Sequence, residues 1–117
     1  EALDVADKLN PIWKKIGLQE ERSYVEALVQ RAEKAVNECD CIDLLTYNAA
    51  VSEATDGLMS FVAGKMRDGI KGKTMTNEEI KNNLVAFSSD FGDVNKRISK
   101  CIRTFAQTCN CRKNIVK

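Results

Sequence analysis

The chain has 117 residues, 44% hydrophobic and 30% charged, with a net charge of +1. That composition excludes a disordered tail and a collagen-like repeat, and predicts a single helical domain, 1–117. No apolar run approaches the roughly 20 residues a membrane span needs, so no span is expected.

In chain order, 2–9 reads as a short helical stretch that Asn10-Pro11 interrupts. Asn is a good N-cap and Pro suits the first helical position, so 11–16 restarts as a second short piece, stopped by Gly17. Ile12, Trp13 and Ile16 form its apolar side, with Trp13 expected to lie on the longer helices as a core lid.

From 20 to about 38, Val25, Leu28, Ala32, Ala35 and Cys39 recur at alternating spacings of three and four, the mark of a buried helical stripe. Glu20, Glu21, Glu26 and Glu33 are expected on the opposite side. A third helix is predicted from 42 to about 67 through Leu44, Tyr47, Val51, Ala54, Leu58 and Phe61, with Val62 flanking. The stretch 68–73, with Gly69 and Gly72, reads as a turn. Thr76 and Glu79 have the spacing of a capping box and start the last helix. Its seam runs Leu84, Phe87, Phe91, Val94, Ile98, Cys101, Phe105. Gly92 on that helix suggests a bend or a close contact. Nothing reads as a strand. The expected fold is all-α, an antiparallel bundle of three long helices plus a short N-terminal helical segment.

The five cysteines form two clusters, Cys39 with Cys41, and Cys101 with Cys109 and Cys111. Helices that alternate up and down bring the turn at Cys39–Cys41 and the end of the last helix to one pole, since about 27 residues out and about 32 back have similar lengths. Disulfides between the clusters close loops of some 70 residues, for which the chain-entropy model gives roughly 4 kcal/mol a bridge. Cys39 and Cys41 bridged to Cys109 and Cys111 leaves Cys101 as a buried free thiol. A competing scheme uses Cys101 in a bridge and leaves a terminal thiol exposed. Disulfides imply an oxidising compartment, hence a secreted protein. A first residue that is not methionine agrees with signal-peptide removal. The Cys-x-Cys pairs are too tight for usual zinc spacing, so no metal is expected.

Charge is unevenly spread. The acids Glu20, Glu21, Glu26, Glu33, Glu38, Asp40, Asp43, Glu53 and Asp56 face only Arg22, Arg31 and Lys34 over the same span. After Asp93 the chain carries Lys96, Arg97, Lys100, Arg103, Arg112, Lys113 and Lys117 and no acid. Such a run can steer an anionic partner; the plainer reading is that it balances the acidic second helix.

No histidine is present, which removes the commonest general base and the Ser-His and Cys-His pairs. The carboxylate pairs Glu20-Glu21 and Glu78-Glu79 acidify helix starts, and Asp90 with Asp93 is expected on a solvated face. Neither catalytic residues nor a cofactor is expected. Nucleic acid is a poor match for a secreted, disulfide-linked chain. A ligand carrier would need a cavity among Phe87, Phe91 and Phe105, whereas their regular spacing favours tight packing. What remains is a rigid, soluble module that blocks another protein.

An all-helical chain of this size, with Cys39 and Cys41 answered by Cys109 and Cys111, resembles the salivary proteins of anopheline mosquitoes related to albicin and anophensin. The resemblance covers the whole length. It implies secretion into saliva and steric inhibition of host plasma cascades by a monomer whose partner is a host protein complex. One branch docks on the alternative-pathway convertase of complement; another interferes with the kallikrein–kinin contact system. The fifth cysteine departs from a plan of two disulfides. Under this resemblance Lys96, Arg97, Lys100, Arg103, Arg112 and Lys113 are candidate partner contacts.

Overall fold

The structure, a computed structural model, describes residues 10–109. The predicted helix at 2–9 and the residues Cys111, Arg112 and Lys113 lie outside that range. Among the described residues the chain is all-α, with helices α1 (Ile12–Lys15), α2 (Gln19–Asn37), α3 (Cys41–Lys71) and α4 (Asn77–Thr108) and no strand. It measures 59 × 24 × 18 Å with a radius of gyration of 16.9 Å, against about 13 Å for a compact 100-residue domain.

Local chemistry sets the helix ends. The Asn10 side chain accepts from the Ile12 amide, and Asp40 caps α3 by accepting from the Asp43 amide at 2.9 Å. At Thr76 the capping box is complete: the Thr76 hydroxyl accepts from the Glu79 amide, and the Glu79 carboxylate accepts from the Thr76 amide. Those two bonds to Thr76 hold the Glu79 carboxyl below its ordinary pKa.

Helices α1, α2 and α3 share one ending. The residue after the C-cap is left-handed, namely Gly17 (φ 76°), Cys39 (φ 50°) and Lys73 (φ 54°). In each, the next amide reaches back five residues, Leu18 to Trp13, Asp40 to Ala35 and Thr74 to Gly69. This is the Schellman arrangement, which usually selects glycine.

The third helix runs through Lys71, past the expected stop near 67, so 68–73 is mostly helix rather than turn. Gly69 is buried, and a Cβ built on it would lie 2.7 Å from Met75 Sδ. That glycine therefore serves close approach of the Met75 side chain, and the reversal falls on Lys73. Gly92 departs from expectation as well. Helix α4 is continuous through it, and a Cβ there would meet nothing within 4 Å.

Two apolar clusters make the core. The larger holds Trp13, Val25, Val29, Val51, Leu58, Phe87 and Val94 among others. The smaller, at the cysteine end, holds Ala32, Ala35, Val36, Cys41, Leu44, Cys101 and Phe105. The predicted stripes are displaced at two points. Phe61 is 57% exposed while Val62 and Met66 are buried. Leu84 is 53% exposed while the neighbouring Asn83 is buried. In α3 the buried positions step by four from Leu58 to Val62 to Met66. That step over-rotates a helix of 3.6 residues per turn and leaves Phe61 on the flank.

Gly92→Ala should stabilise the protein by about 0.5–1 kcal/mol, because alanine is the better helix former and open space surrounds the site. Urea denaturation of the two proteins measures it, through a higher midpoint at unchanged slope.

Candidate functional site: a charge ladder and an exposed basic face

Trp13 is fully buried. Its ring lies 5.1 Å from Phe87, and 5.6 Å and nearly edge-on from Phe91, so the space a ligand would need beside these phenyl rings is filled by indole. A buried indole N–H needs an acceptor, and here Nε1–H donates to Asp90 Oδ2. The same carboxylate takes Arg22, with Nε at 2.7 Å from Oδ2 and Nη2 at 3.4 Å from Oδ1. Asp90 is thus not on a solvated face: its side chain is 12% exposed. A wholly solvated position was expected because Asp90 lies off the apolar seam, but the neighbouring helix supplies the buried partner.

From Arg22 the charges continue across the α2–α4 seam. Arg22 Nη1 lies 3.5 Å from Glu26 Oε1. Arg97 Nη1 donates to both Glu26 oxygens at 2.7 and 2.8 Å. Its Nη2 and Nε grip Glu33 at 2.8 and 3.2 Å, a two-point contact. The bond to Glu33 contributes most to holding the Arg97 guanidinium above its ordinary pKa; burial opposes it, and Glu26 adds to it. Glu26 is 9% exposed, so it does not decorate the outer side of α2. Three acids and two arginines form one ladder, Asp90–Arg22–Glu26–Arg97–Glu33.

The cysteine cluster closes the same seam. Cys39 and Cys109 form a disulfide with Cα atoms 5.4 Å apart, across 70 residues of sequence, a separation ordinary for a disulfide. Cys41 is also disulfide-bonded, and Cys111 lies outside the described residues. Cys101 is a free thiol, buried. Burial is the main influence raising its pKa, with Glu33 adding to the rise and Arg97 and Lys100 opposing it.

Of the candidate contact residues, Arg97 is engaged inward by Glu26 and Glu33. Lys96, Lys100 and Arg103 are exposed on α4 and form no ion pair among the described residues. Arg22, Glu26 and Asp90 were missed as a group. The available signal was Arg22 itself, a base within an acidic helix beside the stripe residue Val25. Among the described residues no cluster of three or more His, Cys, Asp or Glu could hold a metal ion, and no helix is long and apolar enough to cross a membrane. The chain matches no family model, no curated protein and no solved structure.

Asp90→Ala should cost roughly 3–5 kcal/mol, because it leaves Arg22 short of a buried partner and the Trp13 N–H without an acceptor. Asp93→Ala, on the exposed side of the same helix, should stay within about 0.5 kcal/mol. Urea denaturation of both variants separates ladder from surface. The buried, thiol-form Cys101 should resist iodoacetamide at pH 8 in the native protein and react once guanidinium unfolds it; mass spectrometry of the peptide that carries it gives both rates.

Proposed function

We propose that the protein is a secreted inhibitor that docks on a host plasma protein complex and blocks it sterically, without catalysis. The convertase of the alternative complement pathway is the target that the resemblance to the albicin-like salivary family implies. In this proposal α2, α3 and α4 form an antiparallel three-helix bundle acting as a rigid monomeric platform. Its support is the order of contacts. Arg31 of α2 donates to Tyr47 of α3 at 3.1 Å, while Arg22, Glu33 and Cys39 meet Asp90, Arg97 and Cys109 in ascending order. The disulfide supports an oxidising compartment and therefore secretion.

One observation carries the docking proposal. Lys96, Lys100 and Arg103 remain outward on α4 while Arg97, between them in sequence, is drawn inside. A helix whose inner side is locked presents the outer row in a fixed geometry. A one-sign row of this kind raises the encounter rate with an acidic partner more than it raises final affinity. No reacting group is needed.

The test is haemolysis under conditions selective for the alternative pathway, run beside contact-activation clotting. Inhibition of haemolysis is expected. Replacing Lys96, Lys100 and Arg103 by Glu should slow association with the assembled convertase about tenfold at low salt, and salt should slow the unmodified protein in the same manner. Inhibition of clotting alone would move the target to the kallikrein–kinin system; silence in both assays removes the inhibitor proposal. An association rate indifferent to salt removes the basic row from it.

A further inference from the structure

Away from the basic row, α2 and α3 enclose a groove of about 400 Å³ that is open to solvent along its length. Tyr24 of α2 and Phe61 of α3 both line it, and they are 61% and 57% exposed. Gly57 also lines it, and a Cβ there would meet nothing within 4 Å. Glu20 and Glu21 line it as well, with Ala54 and Leu58. Neither acid forms an ion pair among the described residues, and Glu21 Oε2 is buried with no hydrogen-bond donor.

Two exposed aromatic rings and two carboxylates on one groove define a chemistry. Ring faces attract a cation, a planar guanidinium best of all because it also stacks. Carboxylates accept its N–H groups in pairs. Among the described residues no basic side chain lines the groove. The acids also sit in the first turn of α2, where negative charge is favourable; that accounts for their sign but leaves the exposed Tyr24 and Phe61 beside them unexplained. A shallow, open groove suits a side chain presented on another protein's surface better than an enclosed small molecule.

We propose that this groove is a second docking surface that receives an arginine side chain of a protein partner, stacked on Tyr24 and Phe61 and paired with Glu20 and Glu21. It is separate from the basic row of α4 and does not depend on the identity of the plasma target.

The experiment is an NMR titration of the labelled protein with acetyl-Gly-Arg-Gly-amide, with acetyl-Gly-norleucine-Gly-amide as the uncharged probe. Shifts centred on Tyr24, Gly57 and Phe61 with the arginine peptide, and at least severalfold weaker ones with norleucine, are expected. Glu21→Gln and, separately, Phe61→Ala should each weaken binding roughly threefold to tenfold. Phe61 is exposed and Gln keeps the shape of Glu at the half-buried position 21, so the variants should keep the native spectrum elsewhere. Replacing Lys96, Lys100 and Arg103 by Glu should leave the titration unchanged, which distinguishes this surface from the other. Equal response to both peptides, or shifts that map elsewhere, would overturn the proposal. So would groove resonances that move with protein concentration alone, since a second copy would then be the occupant.

Discussion

Five charged side chains lie along the contact between α2 and α4, and they constrain the rest of the molecule. Removing charges from water is costly, and the cost is recovered only where each charge meets a partner in good geometry. Asp90 meets Arg22, and Arg97 meets both Glu26 and Glu33, within hydrogen-bond distance, while Arg22 Nη1 reaches Glu26 only as a 3.5 Å ion pair. Sliding α4 by one turn, about 5.4 Å, would break Arg97 from both glutamates and Arg22 from Asp90. Apolar contacts alone tolerate such a slip more readily, because the hydrophobic effect is non-directional. The ladder therefore fixes the register of the two helices, and Trp13 is drawn into place by the same Asp90 carboxylate.

The disulfide acts on the same pair of helices at their far end. Cys39 occupies the left-handed position that closes α2, where glycine would be the easier residue. Glycine, however, carries no sulfur. The local backbone penalty of a side chain there, on the order of 1 kcal/mol, is small beside the roughly 4 kcal/mol that the chain-entropy model assigns to closing a 70-residue loop. Ladder and disulfide lie in series along one seam, and α3 packs over α2 through apolar residues together with the Arg31–Tyr47 hydrogen bond.

This division has a consequence for the surface. Because Arg97 is committed inward, Lys96, Lys100 and Arg103 form a row backed by a helix whose position is over-determined. On the α2–α3 side, the same helix that donates Arg22 and Glu26 to the interior keeps Tyr24 outside. Exposed aromatic rings beside unpaired carboxylates, and exposed bases beside an inward-paired arginine, give the molecule two surfaces of opposite chemical character.

The sequence by itself determined the all-α class, the start of α4 at its capping box and the end of α1 at Gly17, because each depends on residues within a turn or two of one another; it marked Trp13 for burial through the apolar side it shares with Ile12 and Ile16, while the residues that cover it come from α4. It also determined that the Cys39 region and Cys109 can meet, since helix length is set by residue number. Tertiary structure alone decided the inner face of each helix to within one residue. Phe61 lost its place to Val62, and Leu84 lost its place to the flank, because the partner helix, not the periodicity, chooses among adjacent apolar positions. It alone decided the fate of the charges as well. Glu26 and Asp90 read as solvated on their own helices, and Arg97 only as one of a basic run balancing α2; which charges actually meet is decided by the neighbouring helix that carries the opposite sign.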